Sequence, residues 1–267
     1  MLIDALTELA GFLASFLAVG AIGFRYAIRR RHDDEIVWHA ARRAAALGLI
    51  GALVTLGMMA IHLKHPINQT AALQLGGWGL AILAYILAAA DKRALWPFAA
   101  VGVIVGSLAP LFVGQFSRAV NPIHRFAAAM WIGTLFVLVV AGLNTVLRET
   151  GDKIERGRIA ADLINTFSPL ALVSFAFLAG SGVVTAWKHL KRIDALWTTS
   201  YGYALIAKLC VVAIVVALGA FNWRRQRPLL GSESAAAVLR RSAAWELVFA
   251  GVVLVITAIL VSLPSPR

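Results

Sequence analysis

The sequence predicts an all-α fold, a polytopic transmembrane helix bundle of about eight spans. Three observations predict it. Of the 267 residues, 60% are apolar and only 14% charged, where soluble domains sit nearer half and a quarter, and the mean hydropathy is +0.81. The apolar residues fall into runs long enough for a bilayer, which takes about 20 residues per helix. Basic residues punctuate those runs. This composition argues against a water-soluble enzyme, and the lack of low-complexity tracts or short repeats argues against a disordered or fibrous chain. The connections are too short for a sizeable soluble domain, so residues 1–267 read as a single integral membrane domain.

The elements follow in order. The first run, 5–28, begins beside Asp4 and Glu8, where a secretory signal would carry Lys or Arg. It is also long for a signal's apolar core and reads as a retained span. The second, 44–63, and the fourth, 94–116, contain the close pairs Gly48/Gly51 and Gly102/Gly106, small residues that let helices approach. The third is 72–90. Pro110 in the fourth frees a backbone carbonyl and predicts a kink. The fifth, 123–147, opens as Asn121-Pro122-Ile123-His124. Ser168-Pro169 reads as an N-cap and first-turn pair opening the sixth, 168–187. The seventh and eighth are 203–223 and 243–263. All are too long for barrel strands, and lipid demands internally satisfied backbone, so they are helices.

The chain carries 25 Lys+Arg against 13 Asp+Glu, a formal charge of +12. In a soluble protein that would suggest nucleic acid; among apolar spans it reads as topogenic charge, with lipid and not nucleic acid as the partner. The connections after spans one, three, five and seven hold 16 basic residues, among them Arg29–Arg31, Arg42, Arg43, Arg224, Arg225, Arg240 and Arg241. The opposite side holds 6. Positive-inside then places both termini outside, the periplasmic face of a bacterial inner membrane. One cysteine, Cys210, excludes an internal disulfide, a CxxC pair and a thiolate zinc site.

With that topology His62, His65, His124 and His189 fall at or near the outer helix ends, while His32 and His39 lie among cytoplasmic arginines and acids. The sharpest pattern is Met58-Met59-Ala60-Ile61-His62-Leu63-Lys64-His65. On a helix Met59, His62 and His65 share one stripe. Thioether with imidazole suits copper, whereas zinc usually avoids Met and the hard cations want carboxylates. The alternative is methionine as packing filler with interfacial histidines. His124 and Trp131, seven apart, lie on nearly the same face, and an ionisable residue inside a span is a functional candidate. The predicted copper ligands are therefore Met59, His62, His65 and His124. His189, among Lys188, Lys191 and Arg192, reads as an exposed loop residue. The acids Asp4 and Glu8 either draw cations or simply favour a helix N-terminus. Lys208, one and a half turns into span seven, either snorkels or pairs with an acid or a substrate anion. Glu246 reads as a partner of Arg241 or Arg225. No hydrolytic constellation or phosphate loop is present.

In the C-terminal half, His124 followed by Trp131-Ile132-Gly133 gives the spacing H-x6-W-x-G, which resembles an element of the CopD family of bacterial copper-resistance membrane proteins. Thr199, Tyr201, Gly202, Leu205 and Lys208 resemble its T-x-YG-x-x-L-x-x-K stretch. Asn222, Arg224 and Pro228 resemble its N-R…P loop, although Trp223 interrupts the pair here. Leu239-Arg240-Arg241, Glu246 and Pro264-Ser265-Pro266 resemble its last helix and tail. The resemblance covers about residues 121–266. It implies an eight-helix inner-membrane protein of copper uptake beside a periplasmic copper-binding partner of the CopC type, and a functional role for Lys208.

Three functions follow. The first, favoured over an enzyme, is a copper transporter whose outer His/Met site captures the ion loosely enough to release it. The second is a haem b-binding membrane oxidoreductase with His62 and His124 as axial ligands. The third is a membrane scaffold whose histidines bind nothing. Haem absorbance and copper content of one pure sample separate them.

Overall fold

Among the described residues, eight helices are long and apolar enough to cross a membrane, in agreement with the eight runs of the sequence. The structure is a computed structural model and describes residues 2–31, 34–61, 66–190, 192–226 and 233–263. His32, His62 and His65 lie outside the described residues. In chain order the helices are α1 Leu2–Ala27, α2 Glu35–Ile61, α3 Gln69–Ala89, α4 Trp96–Phe112, α5 over 116–149, α6 Lys153–Leu190, α7 Ser200–Phe221 and α8 Glu233–Ser262. A single helical turn, Ala195–Thr198, joins α6 to α7. No strand occurs among the described residues.

The core forms chiefly where α1 crosses α2 and α5, and where α3 packs on α4. Bare glycines make these crossings possible. A Cβ on Gly20 would overlap the Gly133 backbone, and one on Gly133 the Phe16 carbonyl. Gly51 meets Ala14, and Gly102 meets the Gly77 and Ala81 backbones in the same way. The small-residue pairs of the sequence thus mark close approaches, where backbone packing substitutes for a hydrophobic drive that lipid does not supply. Buried Tyr85 on α3 donates to the Ala18 carbonyl of α1 at 2.5 Å and locks the two helices in register. Pro110 bends α4 as predicted, with Leu108 at φ −113, ψ 20. In α5, π-helical turns at Ala129–Gly133 and Leu138–Leu143 interrupt the α ladder, an insertion often found at functional sites. By contrast α6, α7 and α8 bury little of themselves, and Leu172, Phe177, Ile214 and Val252 face outward.

All four arginine-rich connections gather at one end. Arg31 binds Glu155 and Asp162 of α6 at 2.7 and 2.6 Å. Arg43 of α2 binds Glu149 and Thr145 of α5, Arg93 binds Glu35, and Arg240 reaches Asn144. Burial lowers the pKa of Arg31, but hydrogen bonds to Asp162 and Glu155 outweigh it and leave the value raised.

Several boundaries differ from the sequence expectation. Span two starts at Glu35, because Asp34 accepts from the amides of Ile36 and Val37 as a cap. Arg42 and Arg43 therefore ride on the helix instead of its loop. Span six starts at Lys153, not at Ser168-Pro169. Pro169 lies inside α6, and Ser168 Oγ bonds back to the Ile164 carbonyl at 2.8 Å instead of capping. The polar first turns are helical because Arg31 neutralises their acids. Span five starts at Phe116, which places His124 two turns inside rather than at its opening.

Candidate functional site

At the end opposite the arginines, the helices splay around a cavity of about 1210 Å³. Its walls are mostly apolar, with Trp78, Trp131 and Phe175 among them, and His124, Met59, His189 and Lys208 all line it.

His124 is held by α6. Its Nδ1 lies 3.1 Å from both the Leu178 carbonyl and Ser181 Oγ. Ser181 Oγ itself donates to the Phe177 carbonyl at 2.5 Å, so it is available to the ring only as an acceptor. Both partners accept, which assigns the proton to Nδ1 and leaves the lone pair on Nε2. Metal-binding histidines are oriented by this arrangement. The ring approaches α6 because Gly182 has no side chain: a Cβ there would stand 3.1 Å from Cε1. One turn earlier, Asn121 accepts from Thr185 Oγ1 at 3.1 Å and ties the same two helices together.

His189, expected as an exposed loop residue, instead closes α6 and lines the cavity. Its Nδ1 donates to the Thr185 carbonyl at 2.8 Å, so its Nε2 also carries the lone pair. The ring stacks on Tyr201 with centroids 5.8 Å apart and planes 10° from parallel. The Thr199–Gly202 stretch builds that contact. Thr199 caps α7 by accepting from the Gly202 amide, and Gly202 sits against the Ala195 and Leu196 carbonyls where a Cβ has no room. Sequence spacing missed His189 because its neighbours are basic. The signal was its position four residues after Thr185 on a helix longer than the apolar run.

Arg125, next to His124, turns toward α1. Its Nε donates to Ser15 Oγ at 3.2 Å and its guanidinium lies 4.6 Å from the Phe12 ring centre. Bare Gly11 faces this guanidinium and the Met58 thioether. Glu8 lines the cavity within electrostatic reach of Arg125. Lys208 lies within electrostatic reach of His124.

Of the four predicted ligands, Met59 and His124 therefore share one cavity, although they do not share a helix seam. The main neighbours of α2 are α1 and α3, and α2 meets α5 chiefly along its later turns, from Leu138 on, while the first turns of α5, which carry His124, lean on α6 and α4. His62 and His65 belong to the undescribed stretch after α2. Among the described residues no three His, Cys, Asp or Glu side chains converge as a metal cage. Cys210 is exposed and outside the cavity lining.

At the arginine-rich end Glu246 is buried, at 4% exposure. It pairs with Asn222, not with Arg241 or Arg225: Asn222 Nδ2 donates to Oε2 at 3.2 Å, and Ser242 Oγ donates to Asn222 Oδ1 at 2.6 Å. The amide side chain, placed by the π turn at Asn222–Gln226, reaches the carboxyl first.

Residues 161–260 match the family model of copper resistance protein D (CopD). The matched residues contain His189, Tyr201, Lys208, Asn222 and Glu246; His124 and Trp131 precede them. A curated protein of Bacillus subtilis (strain 168), copper transport protein CutJ, is 28% identical over 144 residues, which is 54% of this chain and 25% of that protein. The chain thus spans about a quarter of the length of the relative it matches. No solved structure matches. The motifs from Thr199 to Glu246 and the match to the CopD family model fall on the same helices.

Proposed function

We propose that the chain is a copper-handling protein of the bacterial inner membrane, one integral membrane domain with both termini periplasmic, and that it takes up copper through the cavity. His124 is the first ligand, Met59 offers a thioether from the same cavity lining, and His62 and His65 complete the donor set from the stretch that follows α2. The observation that carries the reading is the Leu178–His124 hydrogen bond, which leaves an imidazole Nε2 as an electron-pair donor in a cavity also lined by Met59. Soft sulfur and imidazole together favour copper. The match to the CopD family model and the similarity to a protein named for copper transport support it. The sixteen-to-six distribution of basic residues supports the orientation. A CopC-type periplasmic protein is the proposed source of the metal.

Copper titration of the purified protein tests this. His62→Ala, His65→Ala and His124→Ala should each weaken binding by at least about tenfold, and His39→Ala, at the arginine-rich end, should not. Wild-type affinity in all three outer variants defeats the shared site. The same sample decides the haem alternative: a Soret band lost in His62→Ala and His124→Ala would replace copper by haem b.

A further inference from the structure

Lys208 of α7 places an ammonium group in the wall of the cavity that His124 also lines, within electrostatic reach of that imidazole. Among the described residues it forms no hydrogen bond or ion pair. The cavity's other cations are differently placed. Arg125 is bonded to Ser15 and stacked over Phe12, and Arg192 is paired with Asp194 at 2.9 Å. The acid of the cavity wall, Glu8, acts on Arg125. Holding an amine in a largely apolar cavity without a counter-ion is costly, and it opposes a bare metal cation at the neighbouring imidazole. The space is also large for an ion. At about 30 Å³ per water, a cavity of about 1210 Å³ has room for an organic ligand several times the size of a hydrated metal.

We propose that the cavity takes copper together with a carboxylate-bearing ligand, as a small anionic chelate, with His124 addressing the metal and Lys208 the carboxylate. This inference rests on the copper reading and adds to it the charge and size of the cargo. In the complex the ammonium turns from an obstacle into the group that selects it.

Two copper(II) complexes with open coordination positions and opposite charge test it on the purified full-length protein: copper–nitrilotriacetate, an anion, and copper–diethylenetriamine, a dication. Equilibrium dialysis should show the wild type binding the anionic complex at least about tenfold more tightly, the order expected of one hydrogen bond to a charged group. Lys208→Met should abolish that preference and Lys208→Arg should retain it, which separates charge from folding. His124→Ala should lose both complexes. An equal preference in wild type and Lys208→Met, or a wild type favouring the dication, overturns the inference while leaving copper binding intact. Failure of the wild type to bind copper in either form overturns the copper reading itself.

Discussion

The Nδ1 of His124 on α5 lies 3.1 Å from the carbonyl oxygen of Leu178 on α6. A carbonyl only accepts, so this contact fixes the ring's tautomer as well as its position. The free Nε2 then becomes a permanent feature of the cavity. The arrangement depends on Gly182, because any side chain there meets the ring.

Gly182 is therefore a positioning residue. Gly182→Ala sets a methyl 3.1 Å from Cε1 and should weaken copper binding only slightly, since the ring yields by a few tenths of an ångström. Gly182→Leu should weaken it by about 10–100-fold, the range of lost orienting contacts. Its thermal midpoint should stay near wild type, because the side chain has cavity space to enter. Isothermal titration beside a melting curve separates the two effects.

The α1–α5 crossing is a matter of stability. Gly133→Val pushes a branched side chain into the Phe16 backbone. Overpacking of this kind costs about 1–3 kcal/mol, and here backbone, not a flexible side chain, must move. The variant should show a clearly lower melting temperature in detergent. Gly180→Val, at a position with open space around it, should melt as wild type does.

Orientation is tested by labelling. Cys210→Ser removes the one thiol. In that background Gln69→Cys, at the cavity end, should react with an impermeant thiol reagent on intact cells with the outer membrane made permeable. Gly151→Cys, exposed at the arginine-rich end, should react only after the inner membrane is opened. The reverse pattern would put the cavity on the cytoplasmic side.

The Asn222–Glu246 pair has a structural consequence. Asn222→Leu leaves a buried carboxyl without its donor and should destabilise the protein by about 1–3 kcal/mol. Glu246→Gln keeps a polar partner for Asn222 and should cost less. Thermal melts of the two variants, compared with Ser242→Ala, rank the cluster's bonds.

The spans were legible because lipid makes hydropathy a direct record of burial: each of the eight apolar runs holds a helix. Their ends were not, because polar helical turns are decided by partners far along the chain. Arg31 holds the start of α6 through Glu155 and Asp162, 124 and 131 residues away, and no local signal at Ser168 reports it. The same limit applied to the site. Spacing singled out His124 and Met59, each in a recognisable local pattern, and both line one cavity. It read His189 as an exposed loop residue, whereas the ring stacks on Tyr201 of the next helix and lines the cavity. It misassigned Glu246, whose charged neighbours in sequence are not its neighbours in space. Lys208 is conspicuous in the sequence for its depth, but its place in one cavity with His124 needed the fold.

The central claim, that the His124 imidazole and the Met59 thioether share one metal, is tested most directly by X-ray absorption on copper-loaded protein. The account predicts imidazole and thioether-sulfur scattering in the wild type, loss of one imidazole in His124→Ala, and loss of the sulfur in Met59→Leu. A spectrum unchanged in both variants, or one of oxygen ligands alone, would contradict it.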